Sequence, residues 1–279
     1  MADPRLTPAR GDVAAKHLQG QVTAARFVEG EMLVVVDPIA PLRQQPRSGA
    51  ELATQALKGE RVTIYDRDGE GWAWGQLASD GYVGWLPEAS LAAPSAAPTR
   101  RISALRSFAF PGPSIKLPPV ETLLMGSTIA VVRDEASFVV TAEGWFIPKQ
   151  HVVGLDHVEP DYVAIAERFV GTPYLWGGKS SLGIDCSGLV QVSLNAAGVA
   201  CPRDSDMQLA ALGRVLADDE QPARGDLIFW KGHVAIISDA DTIVHANAFH
   251  MATQIEPIGE AIARIKASGS DLLAIKRLD

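Results

Sequence analysis

Hydrophobic positions change their spacing along the chain, and the changes divide it. Between residues 26 and 95 they come in short runs of branched and aromatic residues. MLVVVDP (32–38), RVTIYDR (61–67), GWAWGQL (71–77) and YVGWLPE (82–88) each enclose or end in turn formers, the pattern of short β-strands. LAAPSAAPTR (91–100) is small and proline-containing and reads as a linker. Residues 1–25 hold neither period and are expected to form a short helical or irregular arm.

The stretch 101–155 repeats the first texture. ALKGERVTIY (56–65) aligns with LLMGSTIAVV (123–132), and GWLPEASL (84–91) with GWFIPKQHV (144–152). A repeat of this size predicts two copies of one small domain. Short strands with closely spaced turns suit a small barrel.

From about 156 the spacing becomes helical. DYVAIAERFV (161–170) places apolar residues at 162, 165, 166, 169 and 170, on one face of a helix. Asp161 is placed to cap its start, and Gly171 and Pro173 to stop it. SGLVQVSLNAAG (187–198) predicts a second helix ending at Gly198. DLIFW (226–230), HVAIISD (233–239), TIVHANA (242–248) and LLAIKRL (272–278) read as strands, and EAIARIKASG (260–269) as a helix or turn. Helices followed by an antiparallel sheet predict an α+β domain over 156–279.

Composition narrows the class. At 279 residues the chain is long enough for two or three domains. With 47% hydrophobic and 21% charged residues it is not disordered throughout. A net charge of −8 without a basic patch argues against a nucleic-acid partner. The opening MADPRLTPARGDVAAKHLQG lacks the apolar core of a secretory signal, and no apolar run of about 18 residues appears. The expected protein is cytoplasmic, without a membrane partner. Neither Cys186 nor Cys201 belongs to a CxxC pair, so no structural zinc is expected, and the catalytic look of the Cys186 surroundings argues against a disulfide between them.

Cys186 stands where the loop YLWGGKSSLGI gives way to a helix. A thiol there meets unsatisfied N–H groups and the positive end of the helix dipole, which is expected to lower its pKa. The same N–H groups suit an oxyanion. A buried structural cysteine is the competing reading of any lone thiol. His233 and His245 decide between the two. They are spaced evenly about Asp239, the expected turn between two strands. Such a hairpin sets them opposite each other with Cβ atoms roughly 4.5–5.5 Å apart. One imidazole then serves as base and the other as its orienter. Asn247 shares the face of His245 by the period of two and is an alternative orienter. His17, His151, His157 and His250 read as surface or loop residues, Cys201 as packed, and Asp226 as structural.

TPYLWGG (172–178), GIDCSGLVQ (183–191), PRDSDMQ (202–208), RGDLIFW (224–230), GHVAI (232–236) and VHANA (244–248), in that order, resemble the NlpC family of cell-wall cysteine peptidases. The resemblance covers about 158–250. It implies a trimmed papain-like α+β fold with Cys186, His233 and His245 as catalytic residues and no cofactor. The preceding repeats resemble paired bacterial SH3-like domains, here 26–95 and 101–155, of the dipeptidyl-peptidase VI branch. That branch cleaves the γ-D-glutamyl bond to the diamino acid of short murein peptides with a free N-terminal L-alanine. The resemblance implies that Asp185 pairs with the substrate amine and that Tyr82, in GYVGWLP, closes that end of the site. Ser187 and the loop aromatic Trp176 are grouped with the substrate contacts. Trp72, Trp74, Trp85 and Trp145 are read as barrel packing. Some relatives place a Glu in a motif like RQQP (43–46); here the position is Gln45. A non-catalytic wall-binding module and an acyltransferase on the same fold are the competing functions.

Overall fold

Alternation of buried and exposed residues builds the strands of the N-terminal half. In Arg61–Arg67, Val62 and Ile64 are buried and both flanking arginines are exposed. The computed structural model describes residues 3–217 and 219–278. The chain divides into two compact units, 1–157 and 158–279.

Seven strands of the first unit form one curled antiparallel sheet. Their order is Leu52–Leu57, Ile39–Arg43, Val83–Pro87, Trp72–Leu77, Arg61–Arg67, Glu31–Val35 and Leu91–Ala92. Gly84 lets two strands close on each other: a Cβ there would meet Leu42 Cδ2 at 2.1 Å. The first residues, expected from their sequence to form a short helical or irregular arm, include a strand. Val13–Ala15 is a strand parallel to Arg26–Val28, and Val13 packs with Trp74 and Trp85 in one buried cluster. The Arg10 guanidinium lies over both indoles, at 4.5 and 4.8 Å. Burial of that apolar surface holds the segment where its own periodicity is too weak to do so.

The rest of the unit forms three smaller sheets around Ile102, Ala109, Leu123, Ile129, Val139 and Ile147. The internal repeat is visible in the backbone. Gly59 and Gly126 take matching positive φ angles of 81° and 94° at equivalent turns. In each copy a strand ending in proline, Val83–Pro87 or Phe146–Pro148, runs into one turn of 3-10 helix and then a short strand.

Among the described residues, the second unit joins four helices to a six-stranded sheet. The helices are α1 (Tyr162–Arg168), α2 (Cys186–Ala196), α3 (Ser205–Ala211) and α4 (Ile258–Ala267). The sheet order is Arg214–Val215, Leu272–Arg277, Leu227–Trp230, His233–Asp239, Thr242–Asn247 and Ala252–Pro257. Asp161 caps α1, accepting from the Val163 and Ala164 N–H groups. Ile228, Trp230, Ala235, Ile237 and Ile243 pack against Ala261 of α4. α1 and α2 lie against the same central strands. Val234 to Ser238 are consequently all buried, which explains a continuous apolar run in place of alternation. α3 and the strand Ala252–Pro257 are elements that the sequence reading did not anticipate. Among the described residues, no helix is long and apolar enough to cross a membrane.

Candidate active site

Cys186 is the first residue of α2, and the chain before it is shaped to put it there. Lys179–Ser180 and Gly183–Ile184 form a small hairpin leading into the helix. A Cβ at Gly188 would meet the Gly178 carbonyl oxygen at 2.3 Å, so the first turn of α2 rests directly on that backbone. Asp185 is the N-cap and accepts the Gly188 N–H at 2.7 Å.

Asp185 has no unoccupied oxygen. The Gly177 N–H donates to Oδ2 at 2.8 Å. Arg203 forks onto both oxygens, at 2.9 and 2.7 Å. Ser187 Oγ donates to Oδ1 at 3.3 Å and accepts from Arg203 at 2.9 Å. Asp185, Ser187 and Arg203 are all buried. They form a closed polar network beneath the start of the nucleophile helix.

The Cys186 thiol is buried, and burial pushes its pKa up to about 12, helped by the neighbouring Asp185 charge. Hydrogen bonds from the Val234 and Ser187 N–H groups act in the opposite direction and lose. The direction is opposite to the lowering expected from the helix-start position, because desolvation outweighs the N–H contacts. The Val234 contact also locates the sulfur. It lies against the residue that follows His233.

His233 and His245 meet, but not by the symmetric hairpin expected. The register pairs Ile236 with Val244 and Ile237 with Ile243, with a shift before Asp239. The turn is thus offset, and the two histidines are displaced along the strands. Side-chain length makes up the difference. His233 Nε2 lies 2.8 Å from His245 Nδ1, with ring centroids 5.0 Å apart. Burial first, then the His245 and Arg264 charges, lower the His233 pKa to about 3. Burial also lowers that of His245, against the pull of Glu256.

His245 leads to groups that the sequence reading missed. Its Nε2 is 2.5 Å from Glu256 Oε1. Arg264 of α4 forks onto Glu256, at 2.6 and 2.5 Å. Asn247, read as an alternative orienter of the base, stands 3.0 Å from His245 Nε2. His250, read as a loop residue, is bonded to Asn247 Oδ1 through its own N–H at 2.8 Å. A cleft of about 290 Å³ opens beside this group, lined by Lys231, His233, His245, Asn247, Phe249 and Arg264.

Tyr174 is a further group the reading passed over, although it stands inside TPYLWGG. Burial, then the Cys186 and Asp185 charges, raise its pKa, so its phenol stays protonated. Trp176 is 60% exposed on the loop before Cys186. Tyr82 belongs to the first unit and is buried there. Gln45 is exposed and accepts from Arg47 at 2.9 Å. Cys186 and Cys201 are both buried and neither is in a disulfide. Asp226 is buried and held by Arg277 at 2.8 and 2.7 Å.

Comparison with known proteins fits this arrangement. Residues 171–265 match the NlpC/P60 family, and residues 42–91 match the bacterial dipeptidyl-peptidase Sh3 domain. The chain is 28% identical to the gamma-D-glutamyl-L-lysine dipeptidyl-peptidase of Bacillus cereus, over 75% of this chain and 71% of that protein. It is 28% identical to dipeptidyl-peptidase 6 of Lysinibacillus sphaericus, over 77% of this chain and 87% of that one. A crystal structure of an NlpC/P60 family protein from Bacillus cereus shares the fold, with a TM-score of 0.75 at 20% identity, covering 89% of this chain and 99% of that one. Cys186, His233 and His245 all fall within the matched segment, and residues 171–265 thus form a cysteine peptidase domain of the NlpC/P60 family, with an Sh3 domain of the bacterial dipeptidyl-peptidase type matched ahead of it at 42–91.

Proposed function

We propose that the protein hydrolyses the γ-D-glutamyl bond to the diamino acid in short murein peptides with a free N-terminal L-alanine. The observation that carries this reading is the contact of the Cys186 sulfur with the strand that begins at His233, whose ring is held by His245. Cys186 and His233 rest as neutral thiol and neutral imidazole. As the sulfur attacks the scissile carbonyl, its proton passes to His233, and a C–S bond forms. His233 then protonates the leaving amine as the C–N bond breaks. Water, deprotonated by His233, releases the acyl group from the thioester. Tyr174 O–H, kept protonated by burial and by the Cys186 and Asp185 charges, is a fitting donor to the oxyanion.

The two β repeats fit a pair of SH3-like domains, at 26–95 and 101–155, ahead of a papain-like domain at 156–279. Relatives bearing the names of γ-D-glutamyl-L-lysine dipeptidyl-peptidases support the bond and the substrate class. Demand for a free amine would restrict the enzyme to released peptides. That fits recycling in the cytoplasm better than remodelling of intact wall. Asp185 is the proposed amine contact, with Tyr82, Ser187 and Trp176 as further substrate contacts. Because five donors already occupy Asp185, an incoming ammonium would have to share it with Arg203.

Mass spectrometry of the protein incubated with L-Ala-γ-D-Glu-L-Lys, its diaminopimelate counterpart and their N-acetylated forms tests this. Release of the diamino acid from free-amine peptides alone is expected, and Cys186→Ala should abolish it. Cleavage of acetylated peptides at the same rate would remove the amine requirement. Cleavage of none, or transfer of the acyl group to an acceptor other than water, would overturn the reading.

A further inference from the structure

We propose that Glu256, clamped by Arg264, is a positioning residue for this reaction: it selects which nitrogen of His233 is free to take the thiol proton. The inference rests on the peptidase reading above and extends the working set of residues beyond the three named there.

The argument is one of donors and acceptors passed along a line of contacts. An ionised carboxylate accepts hydrogen bonds and donates none. Burial alone would raise the Glu256 carboxyl, but bonds from His245 and Arg264 outweigh it and hold it at about 2. Glu256 is therefore ionised at any working pH. The contact of 2.5 Å to His245 Nε2 then requires a proton on that nitrogen. His245 is kept neutral by burial, so its Nδ1 carries a lone pair. The contact of 2.8 Å to that lone pair requires the proton of His233 to sit on Nε2. His233 Nδ1 is left bare, the state a general base needs. With the opposite set of tautomers Nδ1 would hold a proton and His233 could not accept another.

Geometry makes the choice firm. Glu256 lies opposite Ile243 in the sheet and so shares a face with His245, its diagonal neighbour. Both of its oxygens are taken by the Arg264 fork, which prevents the carboxylate from turning away. Arg264 in turn lies over the Phe249 ring at 4.4 Å. Asn247 Nδ2, a neutral donor, lies 3.0 Å from His245 Nε2 and favours a lone pair there, but the contact with the charged Glu256 is shorter, at 2.5 Å, and outweighs it. The ionisable groups recorded against the two histidines are Glu256 from the neighbouring strand, Arg264 from α4, and Lys231 and His250 from the adjoining turns. Glu256 supplies the negative charge that touches a ring.

Nitrogen-15 NMR of the histidines in the full chain, with pH–rate profiles, tests the proposal. His233 should be protonated at Nε2 and bare at Nδ1 in the native protein. Glu256→Gln keeps the shape, removes the charge and offers a donor as well as an acceptor. It should mix the tautomers and lower kcat by about 10- to 100-fold, with KM changed little. It should also move the acid limb of the profile to lower pH, since the charge that favours imidazolium is gone. Glu256→Asp should recover part of the loss. A native His233 protonated at Nδ1 would sink the proposal even if every variant failed to fold. So would a Glu256→Gln protein with unchanged tautomers and an unmoved acid limb, whatever its melting temperature. The tautomer measurement needs no turnover, so it stands apart from failure of the peptidase reading.

Discussion

At the residue scale, the nucleophile works from an environment that holds it neutral. Burial drives the Cys186 thiol up to about 12 and the His233 imidazole down to about 3. The resting pair should show no thiolate absorbance near 240 nm between pH 5 and 8, and an ultraviolet titration checks this. Thiolate titrating in that range would mean a standing ion pair. The same burial makes a stability prediction. Unfolded histidine takes up a proton near a pH of about 6.5, whereas folded His233 resists it down to about 3. Below about 6.5 the unfolded state binds more protons, so stability falls as pH falls through that window. The slope is at most about 1.4 kcal/mol per pH unit for each such group. Urea unfolding between pH 7 and 5 should follow this fall, and His233→Gln should flatten it. Glu256 adds its own loss only below its ordinary range, because its folded pKa is the lower one.

At the element scale, α2 is held at its start by a buried ion pair. The Arg203 side chain is wholly buried against Asp185, with N–H to carboxylate at 2.7 Å. Arg203→Met removes the charge and nearly keeps the volume, but strands a buried carboxylate under the nucleophile. It should cost about 3–5 kcal/mol in urea unfolding. Asp185→Asn combined with Arg203→Met should regain much of that loss, since no charge is then left alone. A single Arg203→Met as stable as the native protein would show that solvent reaches Asp185. The six-stranded sheet contributes the second half of the site, because its register, and not chain proximity, brings Glu256 to His245.

At the scale of the whole molecule, each unit is described by a core of its own. The cluster around Ile228, Trp230 and Ile237 draws only on residues of the second unit. Residues 158–279 expressed alone should therefore unfold cooperatively and keep the His233–His245 contact, read by circular dichroism and histidine NMR. A molten second unit would show that it depends on the first. The strands that were legible in advance, such as Arg61–Arg67 and His233–Asp239, carry dense branched or aromatic runs. Those that were not, such as Ala252–Pro257 (ATQIEP), have one large apolar residue among polar ones and gain their pairing from a neighbour. Val13–Ala15 became a strand for the same reason: a partner strand and two tryptophans were waiting for it.

Local chemistry determined what the sequence could disclose: the helix starting at Cys186, the two strands bearing His233 and His245, the internal repeat, and the order of motifs. These depend on the periodicity and caps of neighbouring residues, which a linear reading contains. Tertiary structure alone decided the rest. The sign of the thiol shift depends on how completely water is removed from Cys186, which no local pattern reports. The occupation of Asp185 by Arg203 joins two segments through a fully buried fork. The line from His233 through His245 to Glu256 and Arg264 exists because a bulged hairpin, a diagonal strand neighbour and a packed helix converge on one face of a sheet. Hydrogen-bond direction and desolvation are properties of such convergence, so they appear only once the chain is folded.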